Sequence, residues 1–402
     1  MTGGERHTQM DADRWAAAAG DAGAFEGGPP RRLTALALLP TPLCPNHHSR
    51  VLMVFVLAWL PLALLTQLAP AEAAAPASFL RDFGVHARFA FAAPLLVLGY
   101  AVCANRLGVI ALSFLRSELL DDAGKQRFVD ELAAVRRRAN SLWAEAATVL
   151  IAYAMIGAIV LNHGGLLTQV SWQRGDMGAG LSFAGWWNAL VSLPLLIILL
   201  IGWLWRILLW TRFLHVVAGL DLKLIAAHPD QAGGLGFLNQ SVRAFGTLGM
   251  ALGTISAGRF AQVYADAAAT KFTNALLMGG TAVLVLLLFI GPLLAFGPPL
   301  VHCWRRGAAA YGGLASSLGH QFEKRWFTDA RERGPDMLGE PDFSATVDLY
   351  GVVSNVYAMR FLPVDFRSVL LLLSMTLAPF IPAMFVSMPT DVVIAELKGL
   401  LF

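Results

Sequence analysis

Four side chains in one stretch could hold or transform a ligand: His215, Asp221, His228 and Asp230. They lie in RILLWTRFLHVVAGLDLKLIAAHPDQAGGLGFLNQSVRAF, residues 206–245. There apolar sequence gives way to the turn His228-Pro229-Asp230 and to Gly233, Gly234 and Gly236. Histidine and aspartate can carry a proton, ligate a metal or bond a polar molecule. Glycine permits positive φ, and successive backbone N–H groups in such a loop can form a nest for an anion. Three roles stay open for the turn: a helix stop built of ordinary turn formers, a ligand or anion site, and a catalytic or metal site. The ligand site would take His215, Asp221, His228, Asp230, Gly233 and Gly234, and His302 and His320 could join a catalytic one. No H-E-x-x-H-like spacing occurs, so no catalytic residue and no metal ligand is assigned. If the preceding helix runs unbroken to Ala227, Arg206, Asp221 and His228 share one arc of it, while Arg212, His215 and Lys223 share another.

The elements that must position this turn are membrane helices. The chain of 402 residues is 56% hydrophobic and 14% charged, with mean hydropathy +0.59. A soluble domain is nearer one quarter charged. A net charge of +3 without a long basic run gives no reason to expect a nucleic-acid partner. Cys44, Cys103 and Cys303 are widely separated and suggest neither a disulfide framework nor a zinc site. There is no dinucleotide fingerprint, P-loop or haem-attachment motif, so the cofactor is unknown.

Apolar runs near the length a bilayer demands fall at 51–68, 89–104, 142–161, 186–204, 245–263, 274–296 and 369–386. The fold expected is therefore all-α and integral to a membrane, with about seven transmembrane helices plus amphipathic cytosolic helices. Residues 1–50 read as a disordered cytosolic tail, in which Cys44-Pro45-Asn46-His47-His48 carries chance histidines. The small residues after the first run imitate a signal-peptide cleavage site, but the long leader favours an uncleaved helix. Residues 51–402 form the membrane domain, with cytosolic connections at 105–141, 206–243 and 300–367. With the N-terminus inside, 24 of the 30 Lys and Arg fall in the inner segments, as the positive-inside rule requires. The C-terminus is then outside.

Three inner stretches have an apolar stripe at helical spacing: 121–140 with Phe128, Leu132 and Val135, 301–326 with Trp304, Tyr311 and Phe322, and 343–361 with Val347, Tyr350 and Tyr357. They are expected to pack on one another beneath the bilayer. In the fifth run Gly246, Gly249, Gly253 and Ala257 share a face suited to close helix packing, within the bundle rather than across a homodimer seam. Pro292, Pro298, Pro299, Pro379 and Pro382 should kink or break their helices. Arg106 and Arg259 are expected to snorkel to the interfaces. The absence of a mid-membrane ionisable residue disfavours an ion-coupled transporter.

The run His228-Pro229-Asp230-Gln231-Ala232-Gly233-Gly234-Leu235-Gly236-Phe237-Leu238, after Trp210-Thr211-Arg212-Phe213-Leu214, resembles a group of uncharacterised bacterial multi-pass inner-membrane proteins with an H-P-D-x-x-G-G-L-G-F-L type motif. The resemblance covers roughly 35 residues. It implies a bacterial inner-membrane location and brings no catalytic residue. His-Pro-Asp also occurs in co-chaperone J-domains, but here a membrane span precedes it. Three functions are carried forward: a permeation pathway for a small ion or solute, a membrane scaffold or sensor with a cytosolic ligand or partner site, and a membrane-embedded enzyme centred on His215, Asp221, His228 and Asp230. The partners expected are the lipid bilayer and a possible homo-oligomer.

Overall fold

The computed structural model describes residues 25, 27–29, 47–68, 75–162, 171–174, 180–266, 270–328 and 341–387. Cys44 to Asn46, the small-residue run 70–74 and Lys398 lie outside them. Among the described residues the fold is all-α, and six helical runs are long and apolar enough to cross a membrane. The expected all-α membrane architecture is what the chain adopts.

The principal helices are α1 (His47–Ala58), α2 (Leu60–Gln67), α3 (Ala93–Arg116), α4 (Asp122–Ala139), α5 (Leu142–Asn162) and α6 (Leu193–Ala218). They continue with α7 (Gly246–Ala265), α8 (Lys271–Ile290), α9 (Gly297–Glu323), α10 (Pro341–Tyr357), α11 (Phe366–Leu377) and α12 (Phe380–Ser387). The fifth apolar run, α7, is not one of the six runs long and apolar enough to cross a membrane. Its 20 residues give about 30 Å of helix at 1.5 Å per residue. It packs against α3, α8, α11 and α12 and is the axis of the bundle. Glycine explains how. A side chain at Gly246 would meet Met375 Sδ at 2.6 Å, and one at Gly249 would meet Thr376 Oγ1 at 2.6 Å. At Gly253 the Cβ would overlap the backbone carbonyl of Thr376. Ala257 is buried with Phe260 and Phe380. The small-residue face is thus filled from within the same chain.

Three helices carry the tripeptide Pro-Leu-Leu, at 94–96, 194–196 and 292–294, and each departs from α geometry there. π-Helical turns at His86–Ala92 and Asn188–Ser192 precede the first two, and a 3-10 segment, Gly291–Phe296, contains the third. Proline has no N–H, so the carbonyl four residues back loses its helical donor. Side chains from other helices fill two such gaps. Tyr153 Oη donates to Leu190 O at 3.0 Å opposite Pro194, and Trp187 Nε1 donates to Leu57 O at 3.2 Å opposite Pro61. Ser192 Oγ also donates to Ala58 O at 2.7 Å, beside the α1–α2 break.

Pro298 and Pro299 do not end their helix. They occupy the first turn of α9, where proline is well tolerated, so 272–327 is one helical run. Pro379 and Pro382 do mark a break, between α11 and α12.

The three amphipathic stretches do not form the single layer expected. Helix α4 starts at Asp121, whose Oδ1 accepts from Gly124 N at 2.7 Å. It buries Phe128, Leu132 and Val135, setting Phe128 5.4 Å from Phe213 of α6. Glu131 on α4 pairs with Arg212 on α6 at 2.9 Å. The other two helices pair with each other: Phe343 of α10 meets Phe322 and Trp326 at 5.1 and 4.8 Å. The stripe of α4 was legible, but its partner is α6.

Within the segment expected to be a tail, Phe25 and Gly27–Pro29 are buried in the bundle. Phe25 is 6% exposed, edge-on to Trp210 and Phe213 of α6.

Candidate functional site

Helix α6 ends at Ala218, where Gly219 N–H bonds to His215 O and Val216 O. It does not continue to Ala227, so the two arcs of polar residues inferred from a longer helix do not exist. The chain instead runs without helix through 220–227, donating from Lys223 N to Leu119 O at 2.8 Å. Ala226 then lies against Gly307 of α9 so closely that a Cβ on Gly307 would overlap it.

The turn that follows is wound around one carboxylate. Asp230 Oδ1 accepts from Ala232 N at 2.8 Å and Gly234 N at 3.2 Å, and Oδ2 accepts from Gly236 N at 2.8 Å. Such convergence of alternate N–H groups needs left-handed backbone. Gln231, Gly233 and Gly234 have φ of 54°, 66° and 95°. Glycine adopts these values freely, whereas Gln231 does so at a cost of roughly 1–2 kcal/mol. Two backbone contacts to Arg360 help hold it: Arg360 N donates to Gln231 O at 2.7 Å, and Arg360 Nη2 donates to Asp230 O at 2.9 Å. The loop is therefore an anion nest whose anion is its own aspartate.

Burial alone would raise the Asp230 carboxyl. The N–H groups of Ala232, Gly236 and Gly234, with His228, outweigh it and hold the group below the usual aspartate value. His228 Nδ1 lies 2.8 Å from Asp230 Oδ1 and 3.3 Å from Asp230 N. One ring nitrogen cannot donate to the first and accept from the second at once. The shorter contact is the better hydrogen bond and directs the imidazole proton to the carboxylate.

A second polar group closes the turn from far along the chain. Arg360 Nη1 is ion-paired with Asp365 Oδ1 and also reaches Val364 O at 3.3 Å. Asp365 Oδ2 accepts from Asn239 Nδ2 at 2.7 Å, and Asp365 N donates back to Asn239 Oδ1 at 3.1 Å. Nearby, Arg243 Nε donates to Ser368 Oγ at 2.8 Å. The chain around 230–243 is thereby clamped to 359–368.

Between the two segments lies an open cleft of about 390 Å³, lined by Pro229, Asp230, Gln231, Gly236, Asn239, Arg360, Pro363 and Asp365. The Asp365 side chain is 43% exposed, and Arg360 Nε is buried without a hydrogen-bond partner among the described residues. The cleft offers a guanidinium N–H, a carboxylate and a carboxamide within one small volume. It suits a polar molecule that both accepts and donates hydrogen bonds.

Of the site residues expected from sequence, His228, Asp230 and Gly234 are brought together, and Gly233 sits in the same loop against Met359, Leu224 and Leu300. His215 and Asp221 do not line the cleft. His215 Nδ1 bonds back to Thr211 O at 2.8 Å on its own helix, and Asp221 is exposed. His302 and His320 are exposed on α9, the latter 3.9 Å from Glu323. Among the described residues no group of three or more His, Cys, Asp or Glu is arranged to hold a metal. Arg360, Asn239 and Asp365 were not anticipated. The one hint was Asp365 immediately before the apolar run 366–377, a helix-start signal with no bearing on Asp230. Comparison with models of known protein families, with curated proteins and with solved structures finds no match to this chain.

Proposed function

We propose that this chain is a bacterial multi-pass inner-membrane protein acting as a binding device, a sensor or scaffold, whose cytosolic cleft between Asp230 and Asp365 takes a small polar ligand or a partner's polar side chains. The observation that carries this is Arg360, which lines the cleft beside the part-exposed Asp365 with its guanidinium held in place by Asp365 and by the Asp230 carbonyl. The cytosolic placement rests on the 24 of 30 Lys and Arg that share that side, and the bacterial inner-membrane location on the resemblance in the turn.

The test is thermal unfolding of the full chain in nanodiscs, with amino acids, carboxylates and amines added in turn. A compound carrying both an acceptor and a donor should raise the midpoint. Arg360→Gln should weaken its binding by roughly tenfold or more, as expected for a hydrogen bond to a charged group. His215→Ala should leave binding intact. No shift with any class, or a shift that survives Arg360→Gln and Asp365→Asn, would sink the reading.

The permeation pathway keeps one specific support, the three Pro-Leu-Leu segments with irregular backbone. The glycine face of α7 no longer speaks for it, because α11 covers that face.

A further inference from the structure

A second polar centre lies away from the cleft, on α6. Gly202, Arg206, Trp210 and Phe213 follow one another at spacings of four, four and three, so they form a single stripe on that helix. The N-terminal segment lies along the stripe in reverse order. Phe25 seats on Trp210 and Phe213 at 5.2 and 5.6 Å. Gly27 O and Gly28 O accept from Arg206 Nε and Nη2 at 3.2 and 3.1 Å. Pro29 O reaches Gly202, where any side chain would overlap it. Gly28 has φ +108°, and a Cβ there would lie 3.2 Å from Arg206 Nε. The fit therefore needs glycine on both sides.

The guanidinium at the middle of this stripe has neutral partners. Besides the two carbonyls, it lies over the rings of Tyr100 and Trp203 at 4.5 and 5.5 Å, and no described carboxylate forms an ion pair with it. Charge-assisted bonds to an oxyanion are roughly twice as strong as bonds to neutral acceptors, and the planar fork of arginine matches two oxygens of one anion. The strap also has to keep a glycine pair ordered to stay in place, which is entropically costly.

We propose that the Arg206 groove is a phosphate-binding site and that Phe25 and Gly27–Pro29 form a displaceable strap occupying it, the two glycine carbonyls standing where phosphate oxygens would bind. Release of the strap couples phosphate binding to the position of the N-terminal region. The phosphate can belong to a lipid headgroup or to a soluble anion. The proposal is independent of the Asp230–Asp365 cleft and stands or falls without it.

The test uses the full chain with Cys44→Ser, Cys103→Ala and Cys303→Ala, carrying Gly27→Cys and Asn140→Cys. A Cβ at position 27 lies 3.2 Å from Asn140 Cγ, so a docked strap brings the two thiols into disulfide range. Oxidative cross-linking is followed in maltoside micelles alone, with inorganic phosphate, and with phosphatidylglycerol. Cross-linking should proceed in maltoside alone and slow by about tenfold with at least one phosphate source. Slowing only with inorganic phosphate assigns a soluble anion, and slowing only with phosphatidylglycerol assigns the headgroup. Arg206→Gln should abolish the phosphate dependence. Phe25→Ala, which removes the strap's aromatic contact with Trp210 and Phe213, should slow cross-linking in all three conditions. Failure to cross-link in maltoside alone, or equal rates in all three, would overturn the proposal.

Discussion

Gly253→Leu is expected to prevent assembly of the bundle. A Cβ at this position would overlap the backbone carbonyl of Thr376, and its carbonyl carbon would lie only 2.8 Å away. A neighbouring side chain could rotate aside, but the backbone of α11 cannot. Helices α7 and α11 would have to separate along their whole contact, which includes Gly246 against Met375 and Gly249 against Thr376. Overpacking usually costs about 1–3 kcal/mol, and a clash with backbone in the central helix should exceed that range. The result expected in size-exclusion chromatography is loss of the monodisperse peak. Gly279→Leu, where nothing lies within 4 Å, is the matched control and should retain it. A monodisperse Gly253→Leu protein with unchanged unfolding temperature would contradict the packing described.

Asp230→Ala carries the second large effect. It leaves the N–H groups of Ala232, Gly234 and Gly236 without their acceptor in a loop wound left-handed around it. At about 1 kcal/mol for each partly buried donor, the low end of the usual range because water reaches this turn, the loss is about 3 kcal/mol. The same carboxylate sets a pH dependence. Its value is depressed on folding, so its contribution is complete above the ordinary aspartate value of about 3.9 and is lost as pH falls below that, through the folded value. Unfolding midpoints measured from neutral pH down past 4 should drop on the acid limb for the parent chain, and less steeply for Asp230→Asn. Parallel curves for the two would show that the carboxylate's charge does not matter to the loop.

The membrane helices could be read from sequence because hydropathy over some 20 residues is a local property. The glycine face of α7 was equally visible, since Gly246, Gly249 and Gly253 repeat at helical spacing. The length of α6 was not. Its continuation past Ala218 depended on helical periodicity, and the non-helical run through 220–227 is held by Leu119 O and by α9, contacts distant in sequence. The same reason hid half of the cleft. His228-Pro229-Asp230 and the glycines announce a turn, but nothing near them announces that Arg360 and Asp365 complete it. The glycine loop was read as a nest for an external anion. Only Gln231 separates Asp230 from Ala232, and that short reach lets the aspartate fill the nest itself. The strap escaped notice because Phe25 and Gly27–Pro29 sit in a stretch whose composition resembles a disordered tail.

The central claim, a ligand cleft that opens to the cytoplasm, is tested most directly by labelling Pro229→Cys with a membrane-impermeant maleimide. Pro229 lines the cleft and is exposed, and the parent for this variant carries Cys44→Ser while the buried Cys103 and Cys303 remain. Labelling should occur in inverted vesicles and be absent from intact spheroplasts, and a compound that binds the cleft should slow it. Labelling from outside intact spheroplasts would contradict the orientation, and with it the cytosolic binding site.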